Sequence, residues 1–317
     1  MNVTEKVIVE QFGFWEKALS LPLPTLSGST YVITGCGTSF YLAQIVASAF
    51  NLNGKTAIAV PGGEWARRRD AYLADQRNLC VIALSRSGES TETVQAVEVS
   101  RKAGMKTIGI VCEKESSLAR AAETVIYAET HKSEGIVMTV SASLMLLVGL
   151  RLAGAEVSPA VVQAAKDNFE RMAAALPAII KGRSHFVYLG AGALYGMASE
   201  GALKLQEMSL SYSQAFHPME YRHGPISLVD SKTFTVLLYS PDTAAEEAKV
   251  ASEIQAKGSY LVGFGGPGDL SLPVTLEGPQ RALVVLPALQ ILGERVAEER
   301  GMDTVAPRHL NKVVVLS

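Results

Sequence analysis

Short apolar runs alternate along the chain with longer segments in which apolar residues recur at helical spacing. In the first half, the runs rich in β-branched residues lie at 31–35, 56–60, 79–85, 106–111 and 124–128. Runs that do not alternate with polar residues are typical of parallel strands covered by helices on both faces. Segments 39–51 and 91–104 carry apolar residues at helical spacing, and the second closes on a glycine. This βαβ alternation predicts a doubly wound α/β fold.

A second copy of the opening pattern appears half a chain later. Segment 31–43 (YVITGCGTSFYLA) aligns with segment 186–198 (FVYLGAGALYGMA) at a constant offset. The alignment pairs Gly35 with Gly190, Gly37 with Gly192 and Ala43 with Ala198. We therefore expect two tandem domains of one fold, each a mostly parallel sheet flanked by helices. The first is placed at residues 1–165 and the second at residues 166–317.

Composition and charge narrow the class of protein. The 317 residues are 48% hydrophobic and carry a net charge of −2 without a basic block, so neither nucleic acid nor an anionic membrane is an expected partner. Residues 1–15 lack the apolar core of a signal peptide, and 138–157 is interrupted by polar residues, so a buried helix is expected there. The three cysteines, Cys36, Cys80 and Cys112, share no metal-ligand spacing, which favours a reducing, cytoplasmic location.

The most specific local pattern is LSRSGES, residues 84–90, between a strand and a helix. It offers the hydroxyls of Ser85, Ser87 and Ser90. Gly88 permits close backbone approach, and the helix N-terminus adds free N–H groups, which together suit a dianionic phosphate without a metal. A serine-rich N-cap turn is the alternative. Arg86 would either contact the anion or point to solvent.

The turn GCGTS, residues 35–39, follows the first strand, where ligands of open α/β sheets collect. A dinucleotide site is disfavoured because a third glycine is missing and no acid ends the second strand. For Cys36, a small hydrophobic residue beside a tight turn is favoured over a nucleophile. Thr38 and Ser39 either cap the helix or meet a polyhydroxyl ligand.

The second half departs from the first in the turn that corresponds to the serine turn and in the helix that follows its G-x-G turn. Its counterpart of the serine turn, 237–247, has lost the serine pattern and gained acidic residues, so we expect an anion in the first half only. Its helix 198–209 places Glu200, Lys204 and Glu207 on one face. Such a face is either a solvated set of ion pairs or a partly desolvated carboxylate suited to be a base.

Two of the five histidines, His217 and His223, lie six residues apart. This spacing does not suit a helical metal pair, and no cysteine pair accompanies it, so no metal is expected. Gly224 and Pro225 hold His223 at a turn before a new helix, whereas His217 is expected to be structural.

Five ordered motifs together resemble the tandem sugar-isomerase (SIS) family. They are GCGTS (35–39), SRSGES (85–90), EGALKLQE (200–207), YRHGP (221–225) and the tail PRHLNKVVVLS (307–317). The similarity is closest to the isomerase half of glucosamine-6-phosphate synthase and to stand-alone SIS-type glucosamine-6-phosphate deaminases. It implies two tandem SIS domains, a sugar-phosphate substrate and no cofactor.

The resemblance also implies roles for individual residues. Glu207 would move a proton between C1 and C2, with Lys204 beside it, and Lys312 in the tail would meet the open-chain carbonyl. His223 would open the sugar ring from the partner subunit of a homodimer. The residues that would bind the sugar phosphate are Cys36, Gly37, Thr38, Ser39, Ser85, Arg86, Ser87, Ser90 and Ile136.

The expected reaction is conversion of glucosamine 6-phosphate to fructose 6-phosphate and ammonia. Position 86 is arginine where the synthase pattern has glutamine, Ser90 replaces a threonine, and loop 133–141 resembles the deaminase-type relatives. Position 2 is asparagine, not the cysteine of the synthase's glutaminase half, so glutamine is not expected to supply ammonia. The alternatives are an aldose–ketose isomerase, a fructosamine-phosphate deglycase and, from another class, a non-catalytic sugar-phosphate sensor.

Overall fold

The computed structural model describes residues 1–26 and 28–316; Ser317, the end of the tail motif, lies outside the described residues. The first half forms a parallel five-stranded sheet in the order β2-β1-β3-β4-β5. Its strands are β1 (Thr30–Gly35), β2 (Thr56–Pro61), β3 (Leu79–Ser85), β4 (Lys106–Val111) and β5 (Thr124–Tyr127). All five predicted strands are confirmed to within one residue at either end.

The second half forms another parallel sheet, in the order β10-β9-β8-β6-β7. Its strands are β6 (His185–Gly190), β7 (Tyr212–Phe216), β8 (Thr233–Leu238), β9 (Tyr260–Phe264) and β10 (Leu270–Leu272). Numbered within each half, both sheets have the strand order 2-1-3-4-5. The paired glycines also match in backbone geometry, since φ and ψ are 55° and −126° at Gly37 and 54° and −128° at Gly192. The offset in the sequence therefore corresponds to a repeated topology.

Helices cover both sheets. They are α1 (Val3–Ala18), α2 (Thr38–Leu52), α3 (Gly62–Arg68), α4 (Thr91–Lys102), α5 (Ser117–Ala121), α6 (Val140–Ala153), α7 (Pro159–Ile179), α8 (Ala193–Ser209), α9 (Pro218–Tyr221), α10 (Ala244–Gln255) and α11 (Arg281–Glu299). Short 3-10 helices lie at Arg69–Ala71 and Pro225–Leu228. Because helices pack on both faces, every residue of β3 is buried.

The buried helix expected within 138–157 is confirmed as α6, in which only Arg151 is partly exposed. Arg151 lies in its last turn and donates to the carbonyls of Ala18 and Leu21. Within residues 1–26 and 28–316, no helix combines the length and apolar content needed to cross a bilayer.

The two halves share one hydrophobic core. Helix α2 of the first half packs against α8 of the second, and Gly196 permits the approach because a Cβ there would lie 2.7 Å from the Tyr41 carbonyl oxygen. Helix α11 packs against α7 and α8. The domain boundary that we propose at residues 165 and 166 falls within α7, which connects the two sheets. Pro177 lies inside that helix.

Candidate active site

The two turns that the sequence predicts to bind a ligand meet where the strand order reverses. Strand β1 lies between β2 and β3, so the chain leaves β1 and β3 toward opposite sides of the sheet. The turns that follow them, 35–39 and 85–90, therefore face the crevice at the carboxyl ends of adjacent strands. In open α/β sheets, this is the position at which ligands bind.

The serine turn leaves its hydroxyl hydrogens free to donate. The Gly88 N–H donates to Ser85 Oγ at 3.0 Å, and the Glu89 N–H donates to Ser87 Oγ at 3.2 Å. Ser90 is the N-cap residue of α4, and its hydroxyl forms no capping hydrogen bond within the described part of the chain. Two hydroxyls that accept from the backbone still have their own hydrogens to donate to an anion. Ser85 and Ser87 therefore cap part of the turn themselves, and the phosphate prediction depends on the hydroxyl hydrogens that remain free to donate.

The corresponding turn in the second half is filled by its own carboxylate. Glu247 is buried and accepts from the Ser240 N–H at 2.8 Å and from Thr243 Oγ1 at 3.1 Å. An internal carboxylate at this position leaves no place for an external anion. The contact supports the expectation of an anion in the first half only.

The acidic and basic side chains of α8 form a line that runs from the protein interior to its surface. Lys204 lies between Glu200, at 3.6 Å from Oε1, and Glu207, with which it forms an ion pair. Glu200 and Lys204 are 0% exposed, whereas the Glu207 side chain is 23% exposed. The alternative of a solvated ion-pair face is therefore wrong for this helix. Thr38 Oγ1 donates to Glu200 Oε1 at 3.3 Å, which joins the first half to the line.

Burial sets the protonation of these groups. It raises the pKa of Glu200 to about 7, although the Lys204 ammonium pulls it the other way. Burial also disfavours the charge on Lys204, but the carboxylates of Glu200 and Glu207 outweigh it and hold the Lys204 pKa above its ordinary value. Among the described residues, Glu200 Oε2 has no hydrogen-bond partner. Glu200 can therefore hold or release a proton near neutral pH.

Arg86, Ile136 and Lys312 come together in the structure. Arg86 is 7% exposed and donates to the carbonyls of Gly135, Ile136 and Lys312. Burial lowers the pKa of Arg86, while the nearby carboxylates of Glu134 and Glu207 oppose that shift. The tail that carries Lys312 thus lies beside the turn that follows β3.

Within the described part of the chain, His223 forms no hydrogen bond or ion pair with Arg86, Ile136 or Lys312. It is exposed and lines a cavity of about 540 Å³ with Arg222, Ile226, Glu253, Ala256 and Lys257. His217 stacks on Tyr195 with ring centroids 4.0 Å apart, a contact that suits a structural role.

Cys36 contacts the first turn of α4. Its Sγ lies 3.4 Å from Thr93 Oγ1, and burial raises the pKa of the thiol. A raised pKa keeps sulfur protonated, which disfavours a nucleophile. Of the other residues predicted to bind the substrate, Gly37 is the N-cap residue of α2, and Ser39 is buried in its first turn.

Two carboxylates were absent from the predicted set of site residues. Helical spacing places Glu200 on the charged face but assigns it no role, because burial cannot be deduced from spacing. Glu134 was missed entirely. It is 4% exposed and accepts from the N–H groups of Thr139 and Ser141 and from two hydroxyls. Its signal in the sequence was an acid shortly before a Thr/Ser-rich helix start.

Comparison with known proteins finds relatives whose names are those of enzymes that act on sugar phosphates. Residues 28–153 match the model of the SIS domain. The glutamine–fructose-6-phosphate aminotransferases (isomerizing) of Pyrobaculum aerophilum and Mycolicibacterium smegmatis are both 30% identical, over 92% and 90% of this chain. The match covers 52% and 50% of those proteins, so the chain spans about half the length of the curated relatives it matches.

Solved structures extend the similarity over nearly the whole chain. A glucosamine-6-phosphate deaminase from Thermotoga maritima superimposes with a TM-score of 0.86 at 29% identity, covering 99% of this chain and 100% of that one. The C-terminal domain of glucosamine-fructose-6-phosphate aminotransferase from Francisella tularensis gives a TM-score of 0.83 at 20% identity, covering 96% and 98%. The second likeness concerns the fold alone.

Proposed function

Because residues 28–153 match the SIS domain, we propose that the chain is a sugar-phosphate isomerase and deaminase that converts glucosamine 6-phosphate and water to fructose 6-phosphate and ammonia. One observation carries the proposal: Thr38, in the turn after β1, donates to Glu200 of the Glu200–Lys204–Glu207 line, and the serine turn follows the adjacent strand β3. Similarity to a deaminase over its full length supports the choice of reaction. We also propose that the second half is a second SIS domain, because its sheet repeats the strand order of the first.

The first half binds the phosphate in this proposal. The hydroxyls of Ser85, Ser87 and Ser90 donate to phosphate oxygens, and the N-terminus of α4 adds its dipole. Thr38 and Ser39, at the start of α2, contact the sugar. Binding energy from the phosphate holds the distant C1 and C2 carbons against the catalytic groups.

The second half performs the proton transfer. Glu207, the partly exposed end of the line, takes the proton from C2 of the open-chain sugar and returns it to C1. The C1 oxygen gains a proton and the C2 amino group loses one, which leaves an imine at C2, and water converts this imine to the ketone with release of ammonia. Lys204 orients the Glu207 carboxylate through their ion pair. Glu200 lies behind them, and its pKa of about 7 allows it to take up or release a proton when the charge of the line changes.

Ring opening needs a group that one chain does not bring to the line. We propose that His223 supplies it across the interface of a homodimer, because it is exposed on a separate cavity of its own chain. Lys312 meets the carbonyl of the opened sugar from the tail, which lies beside Arg86.

The test is the variant Glu207→Gln, with Glu246→Gln as the matched control. Glu246 is an exposed residue in the first turn of α10. We expect Glu207→Gln to lose turnover by at least about 100-fold, the contribution of general base catalysis, while calorimetric binding of fructose 6-phosphate persists. The control should keep both. Near-normal turnover in Glu207→Gln would remove Glu207 from the mechanism.

A further inference from the structure

Residues 134–136 present three successive backbone carbonyls to two cations. Lys312 Nζ donates to the Glu134 carbonyl at 3.1 Å. Arg86 donates to the Gly135 carbonyl at 3.0 Å and to the Ile136 carbonyl at 2.7 Å. Its guanidinium also donates to the backbone carbonyl of Lys312 at 3.3 Å. One buried arginine thus binds the loop between β5 and α6 and the C-terminal tail at the same time.

The loop and the tail also contact each other directly. The Ile136 N–H donates to the Val305 carbonyl at 3.2 Å. A Cβ at Gly135 would lie 2.8 Å from the same Val305 oxygen, so glycine permits the approach. On its other side, the loop is fixed by the buried Glu134 side chain, whose Oε2 lies 3.9 Å from Arg86 Nη1. Loop, tail and arginine therefore form one connected unit.

This geometry differs from that of a phosphate ligand. A guanidinium has five N–H donors in a rigid plane, and backbone carbonyls already occupy three of those of Arg86. The plane is thereby oriented toward the loop and the tail. The phosphate contacts are left to the serine hydroxyls of the same turn.

We propose that Arg86 is a positioning residue that fastens the C-terminal tail to loop 134–136 beside the sugar-phosphate site, and so places Lys312. The Lys312 backbone is held by Arg86, while its ammonium rests on a carbonyl that it can exchange for the substrate's carbonyl. As far as it concerns turnover, this inference rests on the proposed function. The contacts themselves are tested in the free protein.

The test compares Arg86→Lys and Arg86→Gln with the control Arg101→Gln, an exposed arginine of α4. Hydrogen exchange is followed in the tail, residues 303–316, of the ligand-free protein. Losing hydrogen bonds from a charged donor should speed tail exchange by about tenfold or more, while peptides of β3 stay protected. The Kd for inorganic phosphate should stay within about twofold, and kcat should fall by more than KM rises.

Two results would overturn the assignment. One is tail exchange that matches the control. The other is a Kd for inorganic phosphate that rises by about tenfold or more in Arg86→Lys, as loss of a direct charged ligand requires. If Arg86→Gln loses protection throughout the chain, Arg86→Lys decides, because it keeps the charge but not the planar fork.

A second variant separates the tail from the reaction. Lys312→Met removes the ammonium but keeps the Arg86 contact to the backbone, so tail exchange should stay within about threefold of wild type. A tail released in this variant would assign the fastening to Lys312 instead of Arg86. If no sugar phosphate is turned over but tail exchange behaves as expected, the proposed function fails and the role of Arg86 in fastening the tail stands.

Discussion

Glu200 makes the stability of the protein depend on pH in a way that one substitution removes. The side chain is fully buried, and its pKa is raised from 4.5 to about 7. Between these values the folded chain binds a proton that the unfolded chain releases. The free energy of unfolding therefore falls as the pH rises through this window, and the loss is complete above pH 7. Glu200→Gln keeps the shape of the side chain and cannot titrate.

The size of the effect follows from the pKa shift. Each unit corresponds to about 1.4 kcal/mol, so Glu200 costs about 2–3 kcal/mol of stability between pH 5 and pH 8. Because the side chain is 0% exposed, solvent screening does not reduce this figure. Near pH 5 the variant and the wild type should be similarly stable, since both carry a neutral side chain. At pH 8 the variant should be more stable by about 2–3 kcal/mol.

Urea unfolding at four pH values from 5 to 8 measures this difference. The wild type, Glu200→Gln and the control Glu246→Gln are compared at each pH, so that titrations shared by all three proteins cancel. The stability of the control should run parallel to that of the wild type. A curve for Glu200→Gln that is also parallel to the wild type would refute a raised pKa for Glu200.

Two further predictions concern the serine turn and the dimer. Gly88→Ala should destabilise the chain by at least about 1 kcal/mol more than Gly37→Ala in thermal unfolding. Both glycines have positive φ, but only at Gly88 would a Cβ lie as close as 2.2 Å to Ser116 Oγ. Equal losses of stability in the two variants would contradict this reasoning. Mixing Glu207→Gln with His223→Asn and refolding them together should restore about a quarter of wild-type activity, because half the dimers then contain one intact site. No recovery would place His223 outside a shared site.

The fold was largely predictable because its signals are local. Continuous apolar runs such as 79–85 indicate buried parallel strands, and the paired G-x-G turns at Gly37 and Gly192 indicate a repeat. The Glu200–Lys204–Glu207 face also follows from helical spacing within one segment. These features depend on neighbours in the sequence, and they are present in the structure.

Tertiary contacts of the site could not be predicted in the same way. Glu200 is buried and accepts a hydrogen bond from Thr38, which lies 162 residues away in the other half. The Arg86 side chain could contact an anion or point to solvent, and its actual partners are backbone carbonyls of a loop and a tail 49 to 226 residues distant. A carbonyl leaves no signal in the residue type, so no pattern in the sequence predicts this contact.

The central claim is tested most directly by product analysis on a panel of sugar phosphates. Purified protein is incubated with the 6-phosphates of glucosamine, galactosamine and fructosamine, and ammonia and the ketose phosphate are measured together. We expect glucosamine 6-phosphate to yield one ammonia for each fructose 6-phosphate, and Glu207→Gln to yield neither. A ketose phosphate that keeps its nitrogen would indicate an isomerase without deamination. Binding of these compounds without any product from the wild type would contradict the account and favour a sensor.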